Sequence, residues 1–337
     1  MPVIDFHNHY YPPSYIQALE KGPSAVGITY DTEGNPCLHY PGDYNVAVRG
    51  HRDIDYREQV LKDAGVDTQV LTLTTPGTHI EEPATAARLA RLVNDAFARV
   101  VADKKGRFAA LATLPLCDLE ASAAELKRAV GELGLPGAML FSNVNGVALS
   151  DKRFWRLYEL ADELGAILHI HPTNPVGVEA MLDCWLMPLV GFLMDTTLAA
   201  ASLVFSGVPK TFPRIRWVLS HLGGAIPYLG ERLDRGYEAF ADCREHIDQP
   251  PSTYLKCFYF DTVNFDPRAI ELAIGFAGAE HVLAGSDYPH QIGSIPKMLG
   301  SVRAIDVSEG DRERILGENA AALLGKSADS VLRGNQG

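Results

Sequence analysis

Short runs of apolar residues alternate along this chain with longer stretches whose apolar positions recur every three or four residues. The short runs are Val3–His9, Thr68–Thr74, Phe108–Leu114, Gly137–Ser142, Ala166–His171, Arg216–His221, Cys257–Val263 and Val282–Asp287. Rich in Val, Ile, Leu, Phe and Tyr, they read as strands covered on both faces. Between them the helical period runs through Tyr56–Ala64, Ala84–Lys104, Leu119–Leu133, Lys152–Leu164, Thr196–Val208, Ala225–Phe240, Pro267–Ala277 and Glu309–Leu324. Asp118, Ser150-Asp151, Asp266-Pro267 and Ser308-Glu309 mark helix starts, and Gly65, Gly106, Gly134, Gly165 and Gly325 mark stops.

Eight strand-then-helix units predict an α/β fold, a (β/α)8 TIM barrel, as a single domain over residues 1–337. A doubly wound open sheet would carry Gly-x-Gly-x-x-Gly after its first strand, where this chain has His7-Asn8-His9. Two connections are long. The first, about residues 10–54, is rich in Pro, Gly and Tyr and predicts a small hairpin over Ile28–Tyr40. The second, Pro172–Asp195, carries Met181, Leu182, Trp185 and Met187. Both follow strand C-termini, the face on which barrel enzymes build their sites, so both are expected to wall or cover a pocket. For the second, packing or a dimer contact is an equal expectation.

Composition narrows the function. Of 337 residues 47% are hydrophobic and 21% charged, which excludes a disordered chain, a collagen-like repeat and a small disulfide scaffold. A net charge of −12 argues against nucleic acid as partner, and an anionic substrate would need local positive charge. Cys37, Cys117, Cys184, Cys243 and Cys257 are scattered, with no paired spacing for a thiolate metal site, and are expected to be small buried hydrophobes. The first residues lack the pattern of a signal peptide. No uncharged apolar run reaches membrane-spanning length, because Asp183, Pro188 and Asp195 bound or break the greasiest stretch. No membrane contact and a cytoplasmic location are the expectations.

Chemistry concentrates at the strand ends. His7 and His9 lie two apart on the first strand, so both imidazoles enter the barrel mouth from one side, a metal-ligand arrangement. His171, His221 and Asp287 close the fifth, sixth and eighth strands. Four histidines and one aspartate at the same rim suit a metal centre better than five separate structural roles. His169, one layer deeper, reads as a hydrogen-bonded core residue, and His290 as a substrate contact or a loop cap. His39, His51, His79, His246 and His281 fall in loops or on surfaces and carry no role. Gly223-Gly224 before a helix suits either an anion cradle or a tight turn.

These residues resemble the amidohydrolase-2 branch of the amidohydrolase superfamily, whose members include aminocarboxymuconate-semialdehyde, γ-resorcylate and 5-carboxyvanillate decarboxylases. The resemblance spans nearly the whole chain, through Asp5-Phe6-His7-Asn8-His9, His171-Pro172, residues 196–208, Phe212-Pro213-Arg214, His221-Leu222-Gly223-Gly224-Ala225 and Gly285-Ser286-Asp287-Tyr288-Pro289. It implies one divalent metal ion on His7, His9, His171 and Asp287, with His221 as the acid/base residue beside it. His-x-His in place of the Glu-x-His of some relatives points to zinc ahead of manganese. The fourth strand ends without a lysine, so a mononuclear centre follows. The resemblance further implies a homodimer in which Arg232 reaches the partner's substrate carboxylate, with Arg49 as a second carboxylate contact; a salt bridge of Arg232 with Glu231 or Asp234 is the competing role. Trp185 and His290 would complete the substrate contacts.

The expected reaction is metal-dependent nonoxidative decarboxylation of an unsaturated or aromatic small-molecule carboxylate, in which the resemblance implies that Asp287 protonates carbon while His221 activates metal-bound water or steadies the substrate. Hydrolysis of an amide, ester or lactone, or a hydration, would use the same centre. A metal-binding protein without turnover is the reading from outside enzymology.

Overall fold

The computed structural model describes residues 2–325; residue 1 and residues 326–337, the ends of the predicted domain, lie outside the described residues. All eight predicted strands form: β1 Ile4–His9, β2 Thr68–Thr72, β3 Phe108–Ala110, β4 Gly137–Phe141, β5 Ile167–His171, β6 Arg216–Leu219, β7 Tyr259–Asp261 and β8 Val282–Leu283. Six stop before their apolar run does. The strands pair in parallel as β1-β2-β3 and β4-β5-β6-β7-β8. Two bridges close the ring, Ala112 with Ala138 and Asn8 with Tyr288. Closure leaves no free edge. At the start of β4, a Cβ on Gly137 would strike the backbone of its partner Ile167, so glycine permits this pairing.

Inside the barrel, Ile4, Phe6, Val70, Ala109, Leu111, Ile167, Val218 and Leu283 form an apolar floor, sealed by Ala320, Ala321 and Leu323 of the last helix. The predicted helix Glu309–Leu324 is present but broken by a wide turn at Arg314–Glu318. There Gly317 lies against the Pro2 carbonyl, which brings that last helix under the barrel.

The surrounding helices are α1 Ile54–Ala64, α2 Pro83–Asp103, α3 Leu119–Gly131, α4 Trp155–Leu164, α5 Phe192–Phe205, α6 Ile226–Ala239 and α7 Pro267–Ala277. The predicted signals work as read: Asp118 and Asp266 accept backbone N–H bonds at their helix starts, and Gly65 and Gly165 end theirs in the left-handed conformation. A further helix, Ile295–Ala304, escapes the sequence reading because Pro296 and Gly300 interrupt its short apolar period.

The predicted loop Pro172–Asp195 is helical in its second half. A wide turn, Met187–Gly191, leads into α5, and the 19-residue stretch Met187–Phe205, with mean hydropathy 1.6, is by length and composition alone apolar enough to cross a membrane. In the fold one face of α5, with Thr196, Ala200, Leu203 and Val204, is buried, whereas Leu189, Val190, Met194 and Leu198 are exposed. The insertion over 10–54 holds a helix, Pro13–Lys21, and a three-stranded antiparallel sheet, Gly27–Tyr30, Pro36–Tyr40 and Asp43–Val46, which contains the predicted hairpin. Of the cysteines only Cys37 is buried; Cys184 and Cys257 are exposed and Cys117 and Cys243 half-buried, so the expectation of five buried thiols is corrected. Loop and helix-end positions, rather than strand interiors, account for the difference.

Candidate metal centre and active site

The register of β1 against β2 slips between Asp5 and Asn8. This irregularity lets Phe6 join the apolar floor while His7 and His9, one and three residues on, also face the axis. On β5 the ordinary alternation suffices: Ile167 lies in the floor, His169 above it and His171 at the rim. The His9 and His171 rings are 4.7 Å apart, and ligand atoms of His7, His9, His171 and Asp287 all lie within 4.8 Å of one another. His7 Nε2 is 3.1 Å from His9 Nε2, and His9 Nε2 is 3.1 Å from Asp287 Oδ1.

Hydrogen bonding on the far side of each ring sets where its proton sits. His7 Nδ1 donates to Asp261 Oδ2 at 2.5 Å, and His171 Nδ1 donates to the Pro172 carbonyl at 2.8 Å. His9 Nδ1 faces Thr72 Oγ1 at 3.1 Å, whose own hydrogen goes to the Asn8 carbonyl, so His9 Nδ1 is the donor. Each ring therefore turns a lone pair on Nε2 toward Asp287, and His171 Nε2 is buried without a partner. Three nitrogen lone pairs and a carboxylate oxygen meeting without a shared proton repel one another unless a cation lies between them. The donor set fits one divalent ion.

Electrostatics agree. Burial, reinforced by the neighbouring imidazoles, holds His9 and His171 well below the ordinary histidine range, so both are neutral ligands at pH 7. His7 moves the other way: burial disfavours its charge, but Asp261, Asp287 and Asp5 outweigh burial and favour positive charge at this point. Burial, with His7 adding to it, brings His221 down to about 4. Its ring is 5.0 Å from His7 and 5.5 Å from His171, with Nδ1 unpartnered, beside the ligand cluster. Both His221 and Asp287 adopt the left-handed conformation, φ 53° and 55°, unusual for residues other than glycine and a mark of a constrained site.

The other predicted site residues divide. His290 is brought in, its ring 4.9 Å from His9. Arg49 is not: it is exposed, bonded to Asp53 at 2.9 Å and laid over Tyr56. Trp185 is exposed and meets Tyr44 at the rim of the insertion, with ring centroids 6.1 Å apart. Arg232 is exposed on α6 and forms no ion pair among the described residues; Asp234 instead accepts from Ser252. His169 is the expected core residue, 2.9 Å from Ser220 Oγ. Gly223-Gly224 serves packing, since side chains there would strike Phe260, Leu193 and Thr197.

Three residues were passed over in the sequence. His51 and His79 are buried, not superficial: His51 lies 5.0 Å from the His290 ring, and His79 lies 4.5 Å from Phe141. Asp261 is the third, and its signal was an acidic residue near the end of an otherwise apolar seventh strand.

Comparison with known proteins accords with this geometry. The family model described as Amidohydrolase matches residues 4–326. The chain is 32% identical over 336 residues to 2-amino-3-carboxymuconate-6-semialdehyde decarboxylase of Dictyostelium discoideum, covering 98% of this chain and 93% of the relative. Its structure is similar to 5-carboxyvanillate decarboxylase from Sphingomonas paucimobilis, with a TM-score of 0.82, 26% identity and coverage of 97% and 99% of the two chains. It is likewise similar to a dihydroxybenzoic acid decarboxylase from Polaromonas with bound manganese and 2-nitroresorcinol, with a TM-score of 0.81, 26% identity and 98% of each chain covered. By sequence match over almost its entire length, by barrel and by buried ligand set, this chain belongs to the amidohydrolase family.

Proposed function

We propose that this protein is a metal-dependent nonoxidative decarboxylase of an unsaturated or aromatic carboxylic acid, with His7, His9, His171 and Asp287 holding one divalent ion. The observation that carries this reading is the convergence of the His7, His9 and His171 rings on the Asp287 carboxylate, with His221 alongside. A divalent ion there supplies Lewis acidity toward the substrate carboxylate and an adjacent oxygen. Departure of CO2 leaves an electron pair on an sp2 carbon, and that carbon must gain a proton. Asp287 would deliver it after taking a proton from water by way of His221, which also steadies the substrate. The reaction named for each of the three relatives supports the same assignment.

The finer features belong to the same proposal. The His-x-His start favours zinc, with manganese, bound by the Polaromonas relative, as the second ion to test. The exposed apolar face of α5 suits a homodimer, and Arg232 on α6 would reach the partner's substrate carboxylate. Arg49, released from Asp53, with Trp185 and His290, would line the substrate, and the location would be cytoplasmic. The test is metal analysis followed by incubation with hydroxybenzoates, muconates and lactones, reading headspace CO2 and uptake of ¹⁸O from water. Release of CO2 without ¹⁸O in the organic product is the expected result. Incorporation of ¹⁸O without CO2 would make the enzyme a hydrolase, and inertness of the metal-loaded protein across the panel would overturn both.

A further inference from the structure

We infer that Asp261 is the positioning residue that joins metal ligand His7 and proton-transfer residue His221 into one unit; this rests on the metal-site reading above. Asp261 ends β7, fully buried, and its two oxygens accept four hydrogen bonds. Oδ2 accepts from His7 Nδ1 at 2.5 Å and from the His221 backbone N–H at 3.1 Å. Oδ1 accepts from the N–H groups of Leu222 at 3.2 Å and Val263 at 2.9 Å.

One carboxylate thus does two things. It fixes the proton of His7 on Nδ1, leaving Nε2 free toward the ligand cluster. It also grips the amides of His221 and Leu222, which lie at φ 53° and 58° and carry side chains where glycine would be at ease. That turn sets the His221 ring 5.0 Å from the His7 ring.

Only a group that accepts at both ends satisfies all four donors. In Asp261→Asn the amide oxygen turns to Leu222 and Val263, because the flipped amide would set its NH2 against two backbone N–H groups that can only donate, whereas an imidazole can also accept; the NH2 then faces His7 Nδ1 and the His221 N–H. It can bond to His7 only by donating to Nδ1, which moves the imidazole proton to Nε2, where the cation belongs. Asp261→Ala instead leaves room for a water that accepts from Nδ1 and preserves the proton's place. The smaller and less similar replacement is therefore the milder one for metal binding, an order that a purely structural aspartate would reverse.

The experiment is Zn2+ competition against a chromophoric chelator on the purified full-length chain, with circular dichroism to verify folding. Affinity should fall on the order of 100-fold in Asp261→Asn and about tenfold in Asp261→Ala. On metal-free protein, at a pH high enough for His7 to carry a single proton, ¹⁵N NMR should place that proton on Nδ1 in the native chain and on Nε2 in the Asn variant. Amide exchange at His221 and Leu222 should accelerate in both variants. Native-like affinity in the Asn variant, the reverse order of the two variants, or an unmoved His7 proton overturns the inference. Should the Asn variant not fold, the Ala variant decides it, with native affinity and unchanged amide exchange as the refuting outcome. A native chain that binds neither Zn2+ nor Mn2+ would defeat the metal-site reading itself, a failure separate from that of Asp261.

Discussion

His7, His9, His171, His221 and Asp287 were legible as a group because each stands at the end of an apolar run, and a barrel collects strand ends. Each should respond distinctly. His221→Ala should keep one equivalent of metal while kcat falls about 100- to 10,000-fold, measured by CO2 release with metal analysis on the same sample. His171→Ala should lose the metal, since its Nε2 has no other partner. Another buried residue escaped attention because it sits within an ordinary amphipathic helix. Arg57 of α1 is fully buried and donates to Asn8 Oδ1 at 2.8 Å, Gln69 Oε1 at 2.9 Å and the Gly50 carbonyl at 3.0 Å, as well as to the His9 carbonyl. It secures the rim end of β1, where the metal ligands stand. Arg57→Met would leave these acceptors unsatisfied and should cost about 3 kcal/mol by urea unfolding.

Elements were read well where a single period ran unbroken, and poorly where packing overrode it. Strands β1 to β8 were found from apolar runs, but the slip in β1 that turns Phe6, His7 and His9 together toward the axis depends on pairing with β2. The same holds for the start of α5: Thr196–Val208 was read as helix, but Pro188 and Gly191 hid the helical residues Met187–Asp195 ahead of it and the exposed Leu189, Val190 and Met194 they carry. At Gly137 the close approach of β4 to β5 allows no side chain. Gly137→Ala should therefore destabilise by about 2 kcal/mol or more, read as a lowered urea midpoint with unchanged slope.

At the scale of the whole molecule, buried titratable groups couple stability to acidity. Burial pulls His79 down to about 4 from its ordinary 6.5. The unfolded chain therefore binds this proton more readily than the folded one. The contribution is complete above about pH 6.5 and is lost as pH falls toward 4, amounting to about 3 kcal/mol. Urea titrations of metal-free protein between pH 7 and 4 should show this slope, and His79→Phe should flatten it. The proposed dimer offers another test: Leu198→Glu should yield a monomer by analytical ultracentrifugation, with activity lost if Arg232 works across the interface.

The sequence alone determined the barrel and the gathering of His7, His9, His171, His221 and Asp287 at its mouth, because period and strand-end position are local properties that survive without coordinates. It could not determine that Asp261 holds His7 and the His221 turn together, that His51 and His79 lie buried, or that Arg49 turns to Asp53. Those depend on which distant side chains share a cavity and where each hydrogen bond ends. Such matters are settled only when the eight strands close and every buried donor must find its acceptor.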